Sequence, residues 1–147
     1  MRENVVAIGL KIPDNEAYTA LVTLRRLGVE VARLERNEIW HFGDSGAAGT
    51  LAARVESNET IFNPNKHRLV VLDRALPRAG EVWIDKIDAH DEVREHLGGK
   101  GIEGIESARR YVGWRLFDAH GTPVPRETVG TAVERLLCNQ AIERAIF

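Results

Sequence analysis

The sequence predicts an α+β domain in which two strand–helix–strand units share one antiparallel sheet. An apolar, β-branched run at 5–12 precedes an amphipathic helical pattern, a second helical pattern follows Pro125, and residues 81–87 alternate between apolar and polar. Two such units form the ferredoxin-like βαβ-βαβ arrangement. The 147 residues are enough for one ordinary domain. We therefore predict a single domain, 1–147, with residues about 43–110 as a large central insertion that elaborates it.

The first unit is marked by local signals at both ends of its helix. The strand at 5–12 ends at Pro13, and Asp14 is placed to cap the helix that follows. Gly28 is placed where a helix commonly ends in a left-handed residue. The apolar stripe between these signals has three- and four-residue steps, at Ala17, Leu21, Leu24 and Leu27.

The segment after Gly28 predicts two short strands. The first covers 29–34 and the second covers 39–42, with Arg36-Asn37 as a tight turn between them. The pattern does not decide whether the third strand of the shared sheet is 39–42 or 111–117.

The middle of the chain is less regular than its ends. We predict, in chain order, a short helix within 45–56, a hairpin of 60–62 with 67–72 around the turn at 63–66, a half-buried strand at 81–87, a helix at 88–97 and a glycine-rich loop at 98–104.

The second unit begins with a strand at 111–117. Pro125 then opens a helix that Asn139 can end, and residues 141–147 form a last strand. The apolar stripe of this helix is Val129, Ala132, Val133, Leu136 and Leu137.

The composition excludes several classes of protein. Twenty Lys and Arg residues against 22 Asp and Glu give a net charge of −2, which argues against a nucleic-acid partner. No apolar run approaches the ~18 residues that span a bilayer, and no cleavage site follows the apolar run at 5–12, so we expect no membrane partner and no secretory signal. Cys138 is the only cysteine, which excludes an internal disulfide. A cytoplasmic location fits these features.

Two short motifs resemble parts of catalytic sites. Gly43-Asp44-Ser45-Gly46 matches the string around a serine-protease nucleophile, but those enzymes are much longer and also need a histidine, a carboxylate and an oxyanion hole. The segment 44–50 offers backbone N–H groups to a phosphate, yet it lacks the Gly-Lys-Ser/Thr ending of a P-loop. We interpret the first motif as a helix N-cap at Asp44 or Ser45 and the second as a small-residue helix that packs closely on a neighbour, and we predict no catalytic residue.

A cluster of acidic residues and histidines lies near the centre of the chain. Asp91 and Glu95 share a helical face, but His90 and His96 do not meet, so a capped helix start is the simpler interpretation and we predict no metal and no cofactor. Lys100, Arg109 and Arg110 are candidates for holding an anionic ligand. Cys138 follows an apolar helix and is predicted to be a buried, unreactive thiol. The cluster comprises Asp85, Asp88, His90, Asp91, Glu95 and His96.

The two ends of the chain carry motifs of a known family. Residues 6–11 follow a V-x-V-x-L-K pattern, 26–28 close a helix on Leu-Gly, and 136–145 follow a pattern similar to L-L-x-N-P-x-I-E-x-Y, with Gln140 in place of proline. The first 42 and last 23 residues thus resemble the PurS family, the accessory component of formylglycinamidine ribonucleotide synthetase. The middle of the chain has no counterpart in that family.

The resemblance implies a non-catalytic subunit in purine biosynthesis that forms a homo-oligomer and bridges an amidoligase and a glutaminase. Two alternatives stay open: a ferredoxin-like regulatory module that binds a small anionic ligand, and a diverged enzyme that uses the Asp85–His96 cluster with Lys100. For the bridging subunit, the residues expected at interfaces are Arg33, Arg36, Trp40, Ile142 and Phe147.

Overall fold

A computed structural model of the chain describes residues 4–46, 49–87, 97 and 101–147. Within these residues the strands are β1 (Val5–Leu10), β2 (Arg33–Asp44), β3 (His67–Val71), β4 (Glu81–Lys86), β5 (Ile105–Phe117) and β6 (Glu143–Ile146). The helices are α1 (Asn15–Arg26), α2 (Leu51–Glu56) and α3 (Arg126–Ala132), which continues into a π-helical turn at Val133–Leu137.

All six strands belong to one sheet in the order β3-β1-β2-β5-β4-β6, and every neighbouring pair is antiparallel. The mixed α+β class and the antiparallel sheet are therefore confirmed. β5 and β6 both run antiparallel to β4, so they are parallel to each other. β5–α3–β6 is therefore a βαβ unit in which β4 lies between the two parallel strands. β1 and β2, in contrast, are direct antiparallel neighbours although α1 connects them. The two ends are thus not equivalent βαβ halves.

The predicted turn at Arg36-Asn37 is wrong, because β2 runs unbroken through it. Asn37 lies opposite Gly9 of β1 and Gly113 of β5, and Arg36 lies opposite Trp114. A central strand gives its backbone groups partners on both sides, which outweighs the local turn preference of two residues.

The predicted hairpin of 60–62 with 67–72 is also wrong. Residues 60–62 form a turn, and β3 pairs with β1, where Leu69 lies opposite Ile8. The turn at 63–66 does exist, since the Asn63 carbonyl accepts from the backbone N–H groups of Lys66 and His67. Both β3 and β4 lie in the sheet, so the central segment is part of the fold's framework and not an addition outside it.

The signals at the ends of α1 are confirmed. The Asp14 carboxylate accepts from the backbone N–H groups of Glu16 and Ala17 at 3.0 and 3.1 Å. Gly28 has a φ of 83°, its N–H donates to the Arg25 carbonyl, and the Val29 N–H donates to the Leu24 carbonyl. This is the Schellman pattern of a helix end.

Other predicted elements are confirmed in part. The helix within 45–56 is present only as α2, and β5 starts six residues before the predicted position. β4 is buried from Glu81 to Asp85 and not half-buried as its alternation predicts. The predicted helix at 88–97 and part of the loop at 98–104 lie outside the described residues.

The sheet has two different faces. We call face A the one that carries Trp40 and Ile84, and face B the one that carries Ile39 and Trp83. Face A holds two separate apolar clusters: one lies under α1 and α3, and the other lies under α2 and the turn at 58–62. Face B holds a third cluster, of Val5, Ala7, Ile39, Leu72, Trp83 and Tyr111.

Residues 72–80, which we call the strap, connect β3 at the edge of the sheet to β4, which is the fourth strand along from β3 in the sheet order. Leu72 is buried in the apolar cluster of face B, and Ala75 packs against that cluster. The strap ends at Glu81, whose fully buried carboxylate accepts from the Arg78 guanidinium at 2.7 Å and from the Trp83 indole at 3.1 Å. This strap explains why β4 is buried on both faces.

The end of the strap depends on Gly80. Its φ is +72°, and a Cβ there would lie 2.7 Å from the Leu116 carbonyl oxygen and 2.9 Å from Pro123 Cβ. We expect Gly80→Ala to lower the free energy of unfolding by about 2–4 kcal/mol, since backbone strain and a clash add. Gly121→Ala is the matched control, with a φ of +78° but no atom within 4 Å of the new Cβ. Equal losses for both variants in urea unfolding would contradict this reading.

Candidate functional site

A groove on face A separates the two apolar clusters. It has a volume of about 250 Å³ and crosses β3, β1, β2 and β5. We call it the interlayer groove. The strand pairing places the side chains of Ile8, Glu38 and Val112 on the same face, because Ile8 lies opposite Glu38, and Glu38 lies opposite Val112. Its lining residues are Ile8, Gly9, Leu10, Asp14, Arg36, Asn37, Glu38, His67, Arg110 and Val112.

One wall of the groove is an ion pair that ties α1 to the sheet. Arg36 donates to both oxygens of Asp14, at 3.0 and 3.2 Å, and to Glu16 at 2.6 Å. Asp14 is also the cap of α1, so one carboxylate holds the helix start and the strand together. The Arg36 charge is thereby compensated, and its role at this position is structural.

The floor of the groove carries two charges that do not pair with each other. Glu38 is exposed; it accepts from the Trp40 indole at 3.3 Å, and its second carboxylate oxygen has no donor among the described residues. Arg110 lies opposite Trp40 on the neighbouring strand and is half-buried. In the part of the chain that the structure describes, its guanidinium has no carboxylate partner, whereas Arg36 has two and Arg109 has one.

His67 closes the far end of the groove. Its Nδ1 accepts from the backbone N–H of Asn63 at 2.9 Å, which leaves the proton on Nε2. The Asn63 side chain accepts in turn from the Asn65 N–H at 2.9 Å, so the turn at 63–66 fixes the imidazole. The groove therefore offers a donor at this end.

Face B carries a separate ionic cluster near the end of β4. Asp85 is 3% exposed and accepts from Arg109 at 2.5 Å and from Arg144 at 3.2 Å. Tyr111 stacks on Trp83 at 5.4 Å between ring centroids. Burial raises the pKa of the Tyr111 phenol above its ordinary value of 10.0, and the nearby Arg109 charge partly opposes this.

The structure places the five expected interface residues in different surroundings. Trp40 is 1% exposed and belongs to the core of the single chain, and Arg36 is held by Asp14. Arg33 is more open, paired with Glu35 and stacked over Phe117. Ile142 and Phe147 are exposed at the edge strand β6, as an interface requires.

The short motifs that resemble catalytic sites have structural partners. The Ser45 hydroxyl donates to the Gly104 carbonyl at 3.0 Å. The Asp44 carboxylate accepts from the Gly46 N–H at 2.9 Å and from the buried Arg54 at 2.7 Å. The polar groups of Asp44 and Ser45 are therefore satisfied by other parts of the protein. The predicted helix start at these residues is wrong, because Asp44 ends β2 and α2 is capped by Thr50, whose hydroxyl accepts from the Ala53 N–H at 3.1 Å.

Some of the remaining candidate residues from the sequence lie in the part of the chain that the structure describes, and the others lie outside it. Within the described ranges, no group of three or more His, Cys, Asp or Glu residues could hold a metal ion. Cys138 is half-buried, and burial raises the pKa of its thiol, in agreement with an unreactive residue. Arg109 and Arg110 lie on opposite faces, so they do not form one anion site. Lys100 and most of the acidic cluster lie outside the described residues, namely Asp88, His90, Asp91, Glu95 and His96.

Three of the charged or titratable groove residues were not predicted to have a functional role: Asp14 as a wall, Glu38 and His67. The sequence of β2 contains one pattern that could have indicated the groove. Leu34, Trp40 and Phe42 are apolar at alternate positions, whereas Arg36 and Glu38 occupy the same phase. A polar interruption of an otherwise apolar face indicates a break in the core at that point.

No protein-family model and no curated protein matches the chain. Among the described residues, no helix has the length and apolar character needed to cross a membrane. The fold and the groove define the chain as a mixed α+β protein built on a six-stranded antiparallel sheet.

The wall of the groove can be tested by a double-mutant cycle. We expect Asp14→Ala to cost about 1–2 kcal/mol, because it removes both a helix cap and an ion pair. The cycle with Arg36→Ala should give a coupling energy of about 1 kcal/mol, since both side chains are less than one third exposed. Glu16→Ala is the control, because its side chain is 72% exposed and its pairing contributes little. A coupling near zero would contradict the assigned wall.

Burial of Tyr111 has a consequence at high pH. Tyr18→Phe leaves Tyr111 as the only tyrosine, so phenolate absorbance reports it alone. We expect its midpoint in the folded protein to lie above that in denaturant. The folded state holds the phenol proton more tightly than the unfolded state does, which adds to the free energy of unfolding. This contribution is complete below pH 10 and is lost as the pH rises through the folded pKa. A folded midpoint at or below the denatured one would contradict the burial of the phenol.

Proposed function

We propose that this chain is a non-catalytic, PurS-like bridging subunit of formylglycinamidine ribonucleotide synthetase. The single observation that carries the proposal is the open edge of the sheet at β3. Among the described residues, this strand pairs with β1 on one side only. Apart from Arg68, its exposed side chains are Val70 and Val71, at 48% and 40% exposure. An exposed, β-branched edge strand binds strands of other chains unless it is covered.

The position of the PurS-like segments supports the proposal. The first 42 residues span β1, α1 and most of β2, and the last 23 span α3, its π-helical turn and β6. These elements belong to one sheet and its helical layer, and β5–α3–β6 is the part whose topology is closest to a ferredoxin-like unit. We infer that the central segment adds β3 and β4 to this platform and thereby creates the edge.

The two edges of the sheet suit a bridging role. β3 and β6 lie five strand spacings apart, or about 24 Å, so one partner can occupy each edge at the same time. Ile142 and Phe147 are exposed at the β6 edge, at 57% and 39%. We propose that the two edges serve the amidoligase subunit, the glutaminase subunit or a second copy of the chain, in the cytoplasm.

The test is co-purification of the tagged chain with amidoligase and glutaminase subunits from the same organism. We expect both to be retained by the wild type and Val70→Lys to reduce recovery of one of them about tenfold or more, because a charge on the edge opposes strand addition. Leu27→Lys is the matched control: its side chain is 42% exposed at the end of α1, away from both edges.

The proposal is wrong if neither subunit is recovered, or if deletion of the gene leaves growth without purines unaffected. A chain that self-associates through β3 without recovering either subunit supports an assembly role but contradicts the place in purine synthesis. Light scattering on the purified chain and on Val70→Lys separates these outcomes.

A further inference from the structure

The unpaired charges of the interlayer groove indicate a ligand. Glu38 and Arg110 project from neighbouring strands onto the same face, on diagonal positions that long side chains can bridge. The two opposite charges are within reach of each other, yet no bond between them is present, and the groove of about 250 Å³ adjoins both. We propose that this groove binds a free α-amino acid, whose carboxylate contacts Arg110 and whose ammonium group contacts Glu38.

The charge balance of the groove favours a zwitterion. Its lining has two carboxylates, Asp14 and Glu38, and two guanidiniums, Arg36 and Arg110, so these four side chains together carry no net charge. A phosphate with two negative charges would find one free guanidinium beside the Glu38 carboxylate. A ligand with one charge of each sign satisfies both free groups.

The size and the apolar surfaces of the groove agree with this ligand class. The volume lies below the ~300–1,000 Å³ of sites for drug-sized molecules, which suits a ligand of few heavy atoms. Ile8 and Val112 flank Glu38 on the floor and offer contact to an aliphatic side chain. At the far end, the Nε2–H of His67 is available as a donor to a side-chain oxygen.

This inference does not depend on the bridging role, because the groove lies within one chain and is formed without a partner. It is therefore tested on the purified chain alone. Common L-amino acids at millimolar concentrations are screened by thermal shift and titration calorimetry. The best of them is then compared with two analogues, one lacking the amino group and one lacking the carboxylate, and with inorganic phosphate.

We expect at least one amino acid to bind and both analogues to bind about tenfold more weakly or worse, because each leaves one groove charge unpaired. Arg110→Gln and Glu38→Gln should weaken binding of the intact amino acid by about tenfold or more. Arg26→Gln is the matched control, since it removes an exposed arginine at the opposite end of α1. Circular dichroism and the unfolding midpoint show that each variant is folded.

Three outcomes would overturn the proposal. The first is that no amino acid binds to the wild-type chain. The second is that folded Arg110→Gln and Glu38→Gln bind as the wild type does. The third is that the deaminated analogue or phosphate binds as tightly as the amino acid, which would make the groove a simple anion site.

Discussion

The pairing of β2 with β5 is the constraint on which the rest of the structure depends. The ladder runs the whole length of β2, from Arg33 to Asp44, which is about 40 Å. α1 has 12 residues and α2 has six, so these helices cover about 18 Å and 9 Å. Strands this long extend beyond any single helical layer. The protein therefore builds two apolar clusters on one face, and a polar gap remains between them.

The charges of the molecule are distributed according to this division. Where a charged side chain is buried beside a cluster, it has a close partner, as in Arg78 with Glu81 and Arg54 with Asp44. In the gap, water can reach the side chains, and Glu38 and Arg110 stay apart. His67 belongs both to this gap and to the open edge strand β3. The turn at 63–66 thus supports both surfaces for which a role is proposed.

Features that short-range interactions fix were predicted correctly from the sequence, and features that long-range interactions fix were not. The cap at Asp14 and the end at Gly28 were correct because each is made by atoms within a few residues. The strand at β4 was found, but its burial was underestimated because the strap that covers it comes from a different edge of the sheet. The turn at Arg36-Asn37 failed for a related reason: strands distant in sequence supply the hydrogen bonds that keep it extended. Of the charged or titratable groove residues, only Arg36 and Arg110 have a functional role predicted from the sequence.

The sequence by itself determined the α+β class, the limits of α1 and the start of α3, because short-range spacing and capping chemistry encode them. Only the tertiary structure decided the strand order, the path of the strap and the position of the groove. Those features arise from contacts between residues more than 20 positions apart, such as Asp14 with Arg36 and Ile8 with Leu69. Local propensities differ by tenths of a kcal/mol and carry no information on which strand a given strand will meet.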